Sequence, residues 1–331
     1  ILLITSENKN NLIYKILKKK NIKNIDVIKI KLKKNYELNK FDLLVKLIIY
    51  FFKNKFHIVH TNDGLLNFYF SIINIFFNYR LIIHLRNVDN SRRNYLPFFI
   101  AKKIICISRF VKKKTPYLFN PKKIVLYNYV DFFIEKIIFK KKHKYLINKN
   151  KNKKIILFVS NIHKRKKPKN FIKIIKKLEE IDKNYVGLMF FQSEKNDYKS
   201  LKNYISKNNI NKNIYLFPNL VPHYWIPFIK KFKKKILLST SYNEPLGRNL
   251  IEATLNEILV VANNSGGHKE IIQKGSGILC NTDNINDVAN RINKLKEKNW
   301  IEINKISKIN IQNKFQDKNF SKKIEKIYSK I

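Results

Sequence analysis

Short apolar runs alternate with longer amphipathic stretches along nearly the whole chain, and this alternation most constrains what it can fold into. ILLIT (1–5) precedes a helical pattern over Asn11–Lys20, DVIKI (26–30) a helix over Phe41–Phe52, and FHIVH (56–60) a helix from Leu65. RLIIHL (80–85), KKIICIS (102–108) and KKIVLYN (122–128) continue the series. Strands separated by whole helices cannot pair as hairpins, so the pattern implies parallel βαβ units with helices on both faces of a sheet.

The alternation restarts further on. KKIILFVS (153–160), YVGLMFF (185–191), NIYLFP (213–218), KILLST (235–240), ILVVAN (258–263) and GILC (277–280) read as strands. Helical patterns stand between them at Lys169–Leu178, Tyr198–Asn208 and Leu246–Leu255, with another from Asn286 and a helical tail over 299–331. Phe139–Lys154 is dense in Lys and Asn, poor in apolar spacing, and reads as a linker. The 331 residues suit two domains at about 150 residues each. The expectation is two Rossmann-like, doubly wound domains, 1–140 and 154–305, joined by a linker at 141–153. Ligands of such sheets lie beyond the carboxyl ends of the strands.

Charge is the next constraint. Lys and Arg number 69 against 23 Asp and Glu, a net charge of +46. The excess is even, with 32 basic and 8 acidic residues in 1–150 and 37 and 15 in 151–331. Only 8 of the basic residues are Arg, the side chain that reads phosphates and bases bidentately. Lys, Ile and Asn share A/T-rich codons, so the charge reads first as compositional, second as attraction to anionic lipid, and last as nucleic-acid binding. No aromatic–basic RNA motif supports the last, and no specific nucleic-acid partner is expected. Phe41–Phe52 and Leu65–Phe77 are the most apolar stretches, about a dozen residues each where a bilayer needs ~20. With a strand pattern at its start the chain is expected to carry no leader and to work in the cytoplasm. Cys106 and Cys280 are far apart in apolar runs, which suits buried free thiols.

The densest signal is Ser239–Glu270, STSYNEPLGRNLIEATLNEILVVANNSGGHKE. A strand ends near Ser239, a loop carries Glu244, and Pro245 suits the first turn of a helix. Gly247 lets a ligand approach the amides of Leu246–Asn249, where the positive helix end favours an anion. Glu244 and Glu252 flank that anion site, their α-carbons on the order of 10 Å apart. Two carboxylate acceptors around an anion hole suit a ligand with hydroxyls at both ends and phosphates between, as in a nucleoside-diphosphate sugar.

These residues resemble the E-x7-E motif of glycosyltransferase family 4, the retaining GT-B enzymes, in the form E-P-L-G-R-x-x-I-E-A. ILVVANNSGGHKEII (258–272) and GSGILC (275–280) are similar to the family's following segments. KIICISRFVKK (103–113), RLIIHLRN (80–87) and KKIVLYNYVD (122–131) resemble first-domain segments, with Tyr129 where the family has Gly. The resemblance spans about 55–295. It implies a GT-B fold, two Rossmann-like domains facing across a cleft, with a C-terminal helix at 306–331 crossing back to the first domain.

It also implies site residues. Glu252 would hold the donor ribose, and Glu244 would sit beside the transferred sugar as a catalytic group with His84. Lys166 takes the basic position of the family's diphosphate clamp, but Asn161 stands where Arg is expected; Arg165, His163 or Arg248 could replace it. Leu246 and Gly247 complete the donor side. His60, Asp63, Gly266, Gly267 and His268 are candidates for the cleft and acceptor, Asp89 a weaker one, and Glu270 reads as structural. The loop SENKNN (6–11) lacks the family's paired glycines.

The resemblance implies a retaining sugar transferase of cell-envelope polysaccharide or lipopolysaccharide assembly. Its partners would be a nucleotide-sugar donor, a glycan or lipid-linked acceptor and an anionic membrane surface, with the protein peripheral on the inner face of the cell membrane. Asp-x-Asp, Cys-x-x-Cys and His-Glu-x-x-His are missing from the sequence. No cofactor or metal is therefore expected, the leaving diphosphate being met by Lys166, Arg248 and helix-end amides. The alternatives are a GT-B relative of other chemistry, such as a nucleotide-sugar epimerase, and a basic nucleic-acid-binding protein.

Overall fold

The computed structural model describes residues 2–6, 26–30, 40–62, 64–88, 95–130, 139–192, 195–210, 213–219, 224–295, 297–316 and 319–331. The helix expected over Asn11–Lys20, most of the loop 6–11, and the candidates Asp63 and Asp89 lie outside the described residues.

The first domain opens with a parallel pair, β1 (Leu2–Ser6) and β2 (Asp26–Ile30). Then come α1 (Lys40–Lys53), β3 (Ile58–Thr61), α2 (Gly64–Phe77), β4 (Arg80–Leu85), α3 (Tyr95–Ile100), β5 (Lys103–Cys106), α4 (Arg109–Lys114), a 3-10 turn over Tyr117–Lys122 and β6 (Lys123–Val125). The four later strands form one parallel sheet in the order β3-β4-β5-β6. Side chains alternate across it. Leu81, Ile83 and Ile104 enter the core shared with α1 and α2. Ile82, Ile105 and Leu126 face the other way.

The stretch read as a linker is instead a packed helix, α5 (Lys141–Lys149). His143 and Ile147 are buried, Phe139 packs edge-on against Tyr224 and Phe228, and His143 Nδ1 lies 2.6 Å from the Tyr224 hydroxyl. Phe139, His143 and Ile147 recur every fourth residue, a helical spacing that the intervening lysines hide.

The second domain comprises β7 (Lys154–Val159), α6 (Pro168–Ile181), β8 (Tyr185–Phe191), α7 (Lys195–Lys207), β9 (Ile214–Pro218), α8 (Trp225–Ile229), β10 (Lys234–Ser239), α9 (Arg248–Leu255), β11 (Leu259–Asn263), α10 (His268–Ile271), β12 (Ile278–Cys280) and α11 (Ile285–Asn293). Its six strands are parallel in the order β12-β11-β10-β7-β8-β9. The chain winds outward from β7 to one edge, returns to the middle and winds outward again from β10. Where β7 meets β10 the loops diverge and leave a crevice at the carboxyl ends, the switch point of a doubly wound sheet.

The chain ends with α12 (Glu297–Phe315) and α13 (Phe320–Ser329). α12 packs against α9 in the second domain. α13 returns to the first, where Phe320, Ile324, Ile327 and Tyr328 cover Ile82, Ile105 and Leu126. Short helices α3, α4, α8 and α10 are additions that the sequence pattern did not separate from loop, because each spans two turns or fewer. Cys106 and Cys280 are buried free thiols. Among the described residues no helix is long and apolar enough to cross a membrane.

Phe228, fully buried, touches the rings of Phe139, His143, Phe190 and Phe217. Replacing it with Ala is expected to cost about 3–5 kcal/mol in urea denaturation; a cost below about 1 kcal/mol would mean that α5 does not seal the second domain.

Candidate active site

Two loops meet at the switch point. After β7 the chain makes a 3-10 turn at Lys164–Lys166, then Lys167 adopts φ 46° and hands over to α6, with Pro168 at its first position. After β10 come Thr240–Gly247. The loops are sewn together, because Tyr242 N donates to Arg165 O at 3.0 Å and Thr240 Oγ1 donates to the carbonyls of Lys166 and Lys167 at 2.7 and 3.0 Å. The basic run is thus fixed by backbone bonds rather than left as a solvated stretch.

That frame sets Lys166 Nζ 2.6 Å and Arg165 Nη1 2.8 Å from Glu244 Oε2. Burial pushes the Glu244 carboxyl up, but Lys166 and then Arg165 outweigh it and hold it below its usual value. Glu244 is therefore ionised at neutral pH. Each cation keeps further N–H donors beyond the one spent on Glu244. Asn161 and His163 are exposed on the same loop, and the cation that joins Lys166 is Arg165.

Beyond Glu244 the structure departs from one expectation. Pro245 lies in a bend ahead of the helix, which starts at Arg248 behind Gly247 at φ 100°. The helix does not start earlier because Gly247 takes a left-handed backbone, outside the helical region. Leu246 is buried in the core, so only its backbone can face a ligand. Arg248 Nε pairs with Glu252 Oε1 at 2.8 Å one turn along. Glu252 is 6% exposed, and burial lifts its carboxyl above the usual value despite Arg248. Asn249 Nδ2 donates to Val159 O at 2.9 Å, tying the helix start to the end of β7.

The turn after β11 is pressed against the Glu244 loop. Gly267 N donates to Glu244 O at 2.6 Å. A Cβ on Gly266, at φ 62°, would lie 2.5 Å from Glu244 O, and one on Gly267 would lie 2.5 Å from Pro245 O. These two glycines therefore make room for the backbone of the Glu244 loop, a role different from lining an acceptor pocket. His268 likewise faces inward rather than into the cleft. It is 0% exposed, with Nδ1 3.0 Å from Asn263 O and Nε2 3.3 Å from the Ser239 hydroxyl, beneath Gly247.

Glu270, on the same short helix, reaches the first domain. Its carboxylate accepts from Arg109 N at 2.9 Å, Phe110 N at 2.7 Å and the Tyr127 hydroxyl at 2.7 Å. Ser108 Oγ donates to Pro245 O at 2.6 Å. The carboxyl end of β5 thus abuts the Glu244 loop, and the two sheets face each other across this contact. Ser108 and Tyr127 lie within segments that carry the family resemblance, yet nothing in their types marked them as bridging residues.

On the first-domain side, His84, next to last in β4, is 6% exposed and stacks on His60 of β3 with ring centroids 5.5 Å apart. His60 Nδ1 lies 2.6 Å from the Tyr328 hydroxyl of α13. Asn128 hydrogen-bonds the His84 ring, whereas Nε2 has no partner among the described residues. Burial, then His60 and Arg86, pull the His84 imidazole down to about 3. It is neutral at neutral pH. Among the described residues no three His, Cys, Asp or Glu side chains gather as a metal site would.

A two-lobed α/β architecture with carboxyl-end loops opposed and an E-x7-E helix start at the switch point defines the GT-B class. The family model for glycosyl transferases group 1 matches residues 139–327, more than half of the chain. The chain belongs to that family. The spore coat protein SA of Bacillus subtilis is 28% identical over 150 residues, 43% of this chain and only 39% of that relative's length. Among solved structures, Anabaena HepE in complex with UDP-glucose superposes with a TM-score of 0.79 at 16% identity, covering 99% of this chain and 92% of that one. A glycosyltransferase from Rickettsia africae gives 0.75 at 20% identity over 99% and 89%.

Two outcomes follow from the geometry. Gly266→Ala forces a side chain onto the Glu244 backbone at a left-handed φ, so thermal denaturation should show a loss of about 1–3 kcal/mol; an unchanged melting temperature would refute the close approach. His84 is neutral when folded, whereas in the unfolded chain it charges near its ordinary 6.5. Stability is therefore complete above that pH and declines as pH falls toward about 3, by up to ~1.4 kcal/mol per unit. In melting curves recorded against pH, His84→Gln should flatten that decline, and an identical slope would assign it to other groups.

Proposed function

We propose that the chain is a retaining glycosyltransferase that moves a hexosyl or related sugar from a nucleoside-diphosphate sugar to a glycan or lipid-linked acceptor. The observation that carries this reading is the pair of carboxylates around the glycine-started helix at the switch point. Glu244 is pinned by Lys166 and Arg165, and Glu252 is buried beside Arg248.

In this reading Glu252 accepts from the ribose diol, and Glu244 accepts from hydroxyls of the transferred sugar while its charge favours a positive anomeric carbon. Lys166, Arg165, Arg248 and the amides of Gly247–Asn249 meet the diphosphate. These cations supply the charge stabilisation that other transferases take from a metal, so no metal is invoked. His84 Nε2, a buried polar atom still open to a partner, orients a donor hydroxyl. The acceptor hydroxyl adds to the anomeric carbon from the leaving-group face as the bond to the diphosphate oxygen breaks. Its proton passes to the departing phosphate, and the configuration is retained. Closure of the lobes keeps water from hydrolysing the donor.

The UDP-glucose complex of the similar Anabaena protein supports a nucleotide-sugar donor, and the similar Bacillus protein is named as a spore coat protein. The reading places the enzyme in the cytoplasm, at the inner face of the membrane. No described feature favours an epimerase or a nucleic-acid-binding protein.

A thermal-shift screen of UDP-, GDP-, ADP- and TDP-sugars tests the proposal. The right donor, at about a hundred times its Kd, should add ~2.7 kcal/mol of stability, and Glu252→Ala or Lys166→Ala should erase the gain. A melting curve unmoved by every donor would overturn it.

A further inference from the structure

The first domain has a second chemically distinct face. In a parallel sheet each helix delivers the chain to the amino end of the next strand. The ends of α1, α2 and α3 and the 3-10 turn before β6 therefore all lie at the base of the sheet, opposite the carboxyl-end site. Side chains there point outward. Phe52 is 77% exposed, Phe76 73% and Tyr117 85%, and Ile75, Phe99 and Leu118 are also exposed. Ring contacts hold the segments together, Phe52 on Phe77 at 4.9 Å, and Phe99 and Tyr95 on Phe119 at 5.0 and 6.1 Å. Lys122 Nζ donates to Phe99 O at 2.5 Å, clasping α3 to the turn.

The charge of this face is of one sign. The segments 52–58, 75–80, 99–103 and 112–123 contain no Asp or Glu, but they carry the exposed Lys53, Lys55, Lys102, Lys113 and Lys114. Lys123, buried at the foot of β6, donates to Lys112 O, Thr115 O and Pro116 O. That clamp fixes the end of α4 and holds the lysines of its last turn beside Tyr117. Exposed apolar patches of this kind mark interaction sites.

We propose that this base docks on an anionic lipid bilayer, the Phe, Ile, Leu and Tyr side chains entering the headgroup boundary and the lysines meeting lipid phosphates. Protruding aromatic and aliphatic groups ringed by lysine match an interface apolar on one side and anionic on the other. A second copy of the chain is disfavoured as occupant, since each copy brings +46 and the same basic rim. The face is separate from the proposed donor site, and its occupancy is measured without donor or activity.

Co-sedimentation with phosphatidylcholine vesicles, with and without phosphatidylglycerol, tests the assignment, each variant's fold being checked by its melting temperature. The whole chain should bind only the anionic vesicles, and high salt should weaken binding. Phe76→Ser/Tyr117→Ser should bind at least about tenfold more weakly, and so should Lys113→Glu/Lys114→Glu. Tyr145→Ser, exposed on α5, is the control and should bind like the parent. The proposal is overturned if the parent ignores anionic vesicles, if both base variants bind as it does, or if Tyr145→Ser loses as much. Sedimentation velocity showing self-association that the base variants abolish would assign the face to a second copy instead.

Discussion

The contact on which the site depends is the closeness of the turn after β11 to the loop after β10. Gly266 and Gly267 let two backbones touch where a single methyl group would collide with a carbonyl or an amide. That touch fixes Glu244, and Glu244 in turn positions Lys166 and Arg165. The same turn seats His268 under Gly247 and starts the short helix that carries Glu270 into the first domain. The charge cluster around Glu244 and the bridge between domains therefore share one origin.

Burial and charge act against each other across this arrangement. Glu244 and Glu252 are both largely removed from water, which favours their neutral forms. Two cations keep Glu244 ionised, whereas the single Arg248 does not fully offset the burial of Glu252. The two carboxylates of one motif thus have unequal proton affinities. In the proposed reaction an ionised Glu244 would stabilise charge near the reacting carbon, and Glu252 would hydrogen-bond hydroxyls.

The domains are coupled at two further points. α13 crosses from the second domain to cover the back of the first sheet, and its Tyr328 reaches His60, which stacks on His84. The end of α12 holds the segment after β6, where Val130 N donates to Phe315 O at 2.9 Å and Gln316 Nε2 donates to Val130 O at 3.3 Å. Lobe motion in this chain is therefore constrained by packed helices as well as by the contact at Glu270.

The strand–helix order of both domains was legible in the sequence because apolar periodicity follows directly from which side chains are buried. The E-x7-E stretch was legible too, since a helix start with flanking carboxylates is local chemistry. Three features were decided only by the tertiary structure. α5 was hidden because lysines dilute a pattern that only its neighbours reveal. His268 and the glycine pair looked like lining residues, yet long-range packing buries His268 and Gly267 and sets Gly266 against the Glu244 backbone, because the space beside a residue belongs to its partners. The bridge from Glu270 to Arg109, Phe110 and Tyr127 joins groups over a hundred residues apart, and no spacing rule encodes such a distance. A sequence specifies which groups seek burial or a charge partner, and the fold chooses which partner each one meets.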